Sequence, residues 1–251
     1  MNKIFSNQVA VVTGGTRGIG RAVSLQLARQ GAKVLALYGR DSRSAGELES
    51  LAQSEGLSLH CIKGDLCNEE KFASVVEAIK SQATQVNFLI HCAASGVHRD
   101  AMDLSLKHLR WTFEINVFAI HHLLQNLIEI MPKGSRVIGV TSSGGTRVIP
   151  YYAAVGSSKG ALEALFRHYA YELAPKGIAV NLVCPGLVLT DAVDAFPDRE
   201  ARIEKAIKAT PSGDLVIPEN VAETISFLCE PRSSQIIGQT IVIDGGKTLL
   251  S

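Results

Sequence analysis

Val9-Ala10-Val11-Val12-Thr13-Gly14-Gly15-Thr16-Arg17-Gly18-Ile19-Gly20 stands near the amino end of the chain. Its apolar run ends at glycines. Residues 21–30 then show helical spacing through Val23, Leu27 and Ala28, until Gly31 stops the pattern. A strand that feeds a helix through a glycine-rich turn suits a pyrophosphate. Glycine lets the backbone turn sharply and come close, and the helix N-terminus stabilises the negative charge. Gly14, Thr16, Arg17, Gly18, Ile19 and Gly20 are therefore candidate dinucleotide contacts. The same rhythm continues outward from this stretch. Strand-like segments recur at 33–38, 57–62, 88–91, 136–141, 178–183 and 240–243, with helix-like segments at 44–53, 69–82, 109–130 and 153–173. Continuous apolar strands separated by helices predict an α/β fold: a single Rossmann-type doubly wound parallel sheet with helices on both faces. With no repeat or linker, residues 1–251 are expected to form one dinucleotide-binding catalytic domain. Prolines and charges break the rhythm at 187–218, beyond a strand's carboxyl end, where a substrate lid is expected.

The 251 residues carry a formal net charge of +1 and are 46% hydrophobic, enough for a large core without disulfides or metal. No basic concentration exists to recruit nucleic acid or an anionic membrane. Cys61, Cys67, Cys92, Cys184 and Cys229 form no Cys-x2-Cys pair. Nor do His91, His98, His108, His121 and His122 have partners at metal-ligand spacing. Reduced thiols and no metal site are expected. Without a secretory or membrane-length apolar run, the expected location is cytoplasmic.

The spacing Thr13-Gly14-x3-Gly18-x-Gly20 resembles that of the short-chain dehydrogenase/reductase family. The likeness runs the length of the chain through Gly64-Asp65-Leu66, Asn116, Ser142-Ser143, Lys159, Asn181, Pro185-Gly186 and Asp244-Gly245-Gly246. The resemblance implies that Asp65 and Leu66 border the adenine. It also implies that Pro185, Gly186 and the segment to Thr190 pass the nicotinamide, Thr190 bonding its carboxamide or the phosphates. At the position of the family's Asn-Asn-Ala-Gly this chain has His91-Cys92-Ala93-Ala94, where the tight turn and the cofactor contact of Cys92, Ala93 and Ala94 are expected to survive. The second strand ends Leu37-Tyr38-Gly39-Arg40, with no acid before Asp41. A carboxylate there would bind both ribose hydroxyls of NAD, whereas Arg40, flanked by Arg17, can clamp a 2′-phosphate. NADPH is the expected cofactor.

The family's usual proton donor stands four residues before its lysine. Here that position is Val155, and the nearest suitable tyrosine is Tyr152, seven before Lys159. On a helix, four residues turn roughly 400° and seven roughly 700°, so both spacings share a face, but the longer one adds roughly 4.5 Å along the axis. Tyr151 would be turned roughly 80° away. A more distant hydroxyl suits hydride addition at Cβ of an enoyl thioester, where negative charge gathers on the carbonyl oxygen. Tyr-x6-Lys resembles the enoyl-acyl-carrier-protein reductases. Ala93-Ala94-Ser95-Gly96-Val97, Val155-Gly156-Ser157-Ser158-Lys159, Asp191-Ala192, Phe196-Pro197-Asp198-Arg199-Glu200 and Gly238-Gln239-Thr240-Ile241 resemble the NADPH-dependent type III enzymes in particular. The resemblance implies Tyr152 and Lys159 as the catalytic pair and an acyl thioester on acyl carrier protein as substrate, in fatty-acid or related acyl synthesis. It also implies a homotetramer built on the two long helices. Val193, Phe196, Ile203 and Ile207 of the lid would cover the acyl chain. Two other readings stay open: a carbonyl or 3-oxoacyl reductase, which Cys184-Pro185-Gly186 resembles, and a cofactor-binding scaffold without catalysis. Ser142 or Ser143 either touches substrate or caps a turn. Asn116 either orders a water and the lysine or satisfies a helix kink, and Trp111 and Phe113 are expected in the core or a subunit interface.

Overall fold

The computed structural model describes residues 3–190 and 199–250. Seven strands form one parallel sheet: β1 Val9–Thr13, β2 Lys33–Tyr38, β3 Leu59–Lys63, β4 Phe88–His91, β5 Arg136–Val140, β6 Ala179–Pro185 and β7 Thr240–Ile243. Their order is β3-β2-β1-β4-β5-β6-β7. The order reverses between β1 and β4, which opens a crevice at the strands' carboxyl ends. Every residue of β1, β4, β5 and β6 is buried. Such strands need a helix layer on each side, because successive side chains point to opposite faces. Ala10 and Val12 accordingly join Val23, Leu27, Leu48 and Leu228 in one core, while Val11 joins Ile79, Leu123 and Phe166 in the other. The first core lies under α1 (Gly18–Arg29), α2 (Ser42–Ser54) and α8 (Pro218–Cys229), and the second under α3 (Glu69–Gln82), α5 (Ala119–Leu127) and α6 (Ala153–Leu173). Among the seven strands, only the edge strands β3 and β7 carry exposed residues.

Two segments depart from the sequence reading. The expected helix at 109–130 begins earlier, as α4 (Leu106–Phe113) capped by Ser105, passes through a π-helical turn at Glu114–Phe118, and resumes as α5. The turn is a wide one because Asn116, fully buried, is pulled toward the loop after β4: its side chain accepts from Ser95 N–H (2.8 Å) and donates to Ser95 C=O (3.0 Å) and Ser158 Oγ (2.9 Å). Its own carbonyl takes the His91 Nε2–H (3.2 Å). The kink reading of Asn116 therefore holds. The segment 187–218 also contains more order than its prolines suggest. Val188 bridges to Val216, which ties its two ends together, and α7 (Arg199–Lys208) lies between them. Asp191, Ala192, Val193, Phe196, Pro197 and Asp198 lie outside the described residues. α8 has no counterpart in the strand-and-helix reading, since Pro218, which reads as a breaker, occupies its first turn, where no N–H is needed.

Candidate active site

A cleft of 1690 Å³ opens at the carboxyl ends of the strands, and every residue singled out for catalysis or cofactor binding lines it. At its first wall, α1 starts at Gly18 with no side-chain cap, so its leading N–H groups face the cleft as an anion site. The turn is closed from behind: a Cβ on Gly20 would stand 2.0 Å from Gly14 O, so no larger residue fits. Gly14, with φ +63°, abuts the backbone of Ala93, which joins the glycine loop to the His91-Cys92-Ala93-Ala94 turn. On the other side Thr190 approaches Gly18, so the segment after β6 reaches the same loop.

Arg17 and Arg40 are both exposed at one end of this wall. The first acid beyond β2, Asp41, is committed to capping α2: its carboxylate accepts Ser44 N–H (3.0 Å) and Ser44 Oγ–H (2.7 Å), which holds it below the usual carboxylate range. These side chains fit a phosphorylated adenosine ribose. Asp65 accepts the Cys67 N–H (3.0 Å) and, with Leu66, forms the neighbouring wall.

His91 is a structural residue that its sequence position does not reveal. Fully buried, it receives the Thr13 hydroxyl at Nδ1 (2.8 Å) and donates Nε2–H to Asn116 O. Thr13 Oγ1 in turn accepts Ala93 N–H (3.1 Å). Burial, with Lys159 nearby, pushes the imidazole down to about 3, so it stays neutral and the bonding pattern fixed. His121 bonds Tyr169 Oη (2.6 Å) and His122 stacks on Phe72, and among the described residues no cluster could hold a metal.

Tyr152 is the N-cap of α6 rather than a residue inside it, with φ −110° and ψ 12°. Its ring lies over Gly144, where a Cβ would stand 2.6 Å from two ring carbons, and its side chain hydrogen-bonds Ser142. Burial raises its pKa and the Ser142 hydroxyl opposes the rise. His98 tilts against the ring at 5.6 Å. Ser142 also accepts Gly144 N–H (3.3 Å), so it serves as turn cap and tyrosine partner together, whereas Ser143 offers its carbonyl to Thr146 and Arg147. Tyr151, at φ 64°, is in the left-handed region and 45% exposed. That strain, about 1–3 kcal/mol, is held by the Arg99 N–H bond to its carbonyl (3.0 Å). Val155 is buried and fills the hollow at Gly96. Lys159, 4% exposed, donates to Val140 O (2.8 Å), and burial lowers it to about 8.

Trp111, expected in the core or an interface, is half-buried in the cleft wall, while Phe113 packs on the core. From α7 the lining residues are Ala201, Lys205 and Ala206, with Ala209 just beyond it, in place of Ile203 and Ile207. No helix among the described residues is long and apolar enough to cross a membrane.

Residues 14–248 match the family described as enoyl-(acyl carrier protein) reductase. The chain is a member of the short-chain dehydrogenase/reductase family. This chain is 28% identical over 246 residues to a 1-cyclohexenylcarbonyl-CoA reductase of Streptomyces collinus, covering 97% of this chain and 88% of that protein. It is 30% identical over 251 residues to a 3-oxoacyl-(acyl-carrier-protein) reductase of Vibrio cholerae, covering 98% and 99%. A short-chain dehydrogenase from Burkholderia cenocepacia, solved in complex with NADP, superposes with a TM-score of 0.88 at 27% identity over 97% of this chain and 99% of that one. The oxidoreductase class and the nicotinamide chemistry of the family agree with the cleft.

Proposed function

We propose that this oxidoreductase uses NADPH to reduce the 2,3 double bond of a trans-2-enoyl thioester, carried on acyl carrier protein, in acyl-chain synthesis. The observation that carries the reading is the exchange at the head of α6. Val155 is buried against Gly96 where a tyrosine four before the lysine would stand, and Tyr152, its side chain bonded to Ser142, lines the cleft, as does the 45% exposed Tyr151. The family description and the Streptomyces collinus relative, whose named substrate is an unsaturated acyl thioester, support it. When bound, NADPH supplies hydride to Cβ. Solvent or a relay supplies the proton to Cα, and the chain's residues bind, orient and stabilise. The α1 N-terminus and the glycine loop bind the pyrophosphate, Arg17 and Arg40 the 2′-phosphate, and Asp65 and Leu66 flank the adenine. Cys92, Ala93, Ala94, Pro185, Gly186 and Thr190 line the path to the nicotinamide. Lys159 holds the ribose and contributes positive charge. Tyr152 donates a hydrogen bond to the thioester oxygen as it gains enolate charge, and Ser142 keeps the phenol aimed. Purified protein given NADPH should consume it with crotonyl or longer enoyl thioesters. Turnover of a 3-oxoacyl thioester with none of an enoyl thioester would overturn the assignment. It would favour the carbonyl-reductase reading that the Vibrio cholerae relative supports.

A further inference from the structure

One buried acid in the cleft has no part in the chemistry above. Glu163 lies on α6, one turn beyond Lys159, and is 7% exposed. Its Oε1 accepts the Thr141 hydroxyl at 2.7 Å, while Lys159 Nζ is held by Val140 O, the residue before Thr141. Lysine and glutamate are thus tethered to consecutive residues, Val140 at the end of β5 and Thr141 just after it. The turn Ser143–Gly145 roofs the pair, and a Cβ on Gly145 would stand 3.0 Å from Glu163 Oε1. Both side chains line the cleft.

We propose that Glu163 is a positioning residue: its pinned, buried carboxylate is the counter-charge that keeps Lys159 an ammonium ion, seated to receive the cofactor's ribose. The proposal rests on the reading of Lys159 as ribose anchor. The groups facing Lys159 are His91 at the end of β4, Cys92 in the following turn, Cys184 on β6 and Glu163 on its own helix, with Arg147 and Asp244 beyond Cys184. His91 is neutral. Burial pushes Cys92 up to about 12 and Cys184 up to about 11, so both are neutral thiols near neutrality. Glu163 is then the carboxylic acid that faces the ammonium, against a burial that favours the neutral amine. A carbonyl such as Val140 O accepts from the charged and the neutral lysine alike, so it cannot replace that charge.

The test is NADPH affinity, read by fluorescence from about pH 6 to about pH 10, for the wild type, Glu163→Gln, Glu163→Asp and Lys159→Met. Wild-type affinity should fall as pH passes through about 8. Glu163→Gln, which keeps the shape and can still accept from Thr141, should bind normally at the acid end and lose affinity about one pH unit earlier. Glu163→Asp should retain the wild-type midpoint, and Lys159→Met should bind weakly with no dependence in this range. An unmoved midpoint in Glu163→Gln, or a loss equal at every pH as mere packing would give, overturns the proposal. If Glu163→Gln does not fold, Glu163→Ala takes its place: an earlier midpoint supports the proposal and an unmoved one overturns it. A Lys159→Met profile identical to wild type would instead sink the anchor reading beneath it.

Discussion

Tyr152→Phe removes one oxygen from the cleft wall and leaves the ring over Gly144 in place. If that oxygen meets the developing enolate, kcat falls about 10²–10³-fold, with the circular-dichroism spectrum and NADPH affinity unchanged. A fall confined to KM would show that the hydroxyl only binds. Val155→Tyr should not restore carbonyl reduction, because Val155 Cγ2 already stands 2.2 Å from where a Cβ on Gly96 would be, beside Thr112. Overpacking of this kind destabilises by about 1–3 kcal/mol, measurable by urea unfolding alongside 3-oxoacyl turnover. That Tyr152 and Lys159 share the cleft was legible in the sequence, because spacing from Lys159 is a one-dimensional quantity. Their orientation was not. Tyr152 caps the helix instead of riding on it, so the aim of its phenol follows from the strained φ of Tyr151 and the bare surface of Gly144. Neither is visible in a spacing rule.

The segment 106–127 shows what element-scale reading misses. Apolar periodicity runs on through residues 114–118, since a π turn adds a residue without changing which side is greasy. What widens the helix is a contact with a loop some twenty residues earlier, through Asn116 and Ser95. Asn116→Ala would leave the Ser95 N–H and C=O and the Ser158 hydroxyl without this partner. The expected loss is at least about 2 kcal/mol in urea unfolding. NADPH affinity should weaken with it, because the same loop forms the wall beside the glycine turn. A variant as stable as wild type would show that the bulge supports itself. α8 was missed for a related reason: Pro218 reads as a breaker until its place in the first turn of a helix is known.

Across the whole molecule, acid stability should carry the mark of His91. Its folded value of about 3 lies below the ordinary 6.5, so between those limits the unfolded chain binds the extra proton. Stability is then complete above about pH 6.5 and falls as pH drops, by up to about 1.4 kcal/mol per pH unit. His91→Asn should flatten that slope between about pH 6.5 and about pH 4.5 in urea titrations. An equal slope in both proteins would assign the acid limb to carboxylates. The sequence by itself determined the α/β class, the glycine turn, the residues that line the cleft and the spacing of Tyr152 from Lys159. Each of these is written in hydrophobic period or local backbone need. Only the tertiary structure decided the contacts between residues far apart in the chain: His91 between Thr13 and Asn116, Trp111 in the cleft wall, and Glu163 beside Lys159 on the end of β5. A buried polar group must find its partner wherever the fold delivers one, and no local pattern announces which residue that will be.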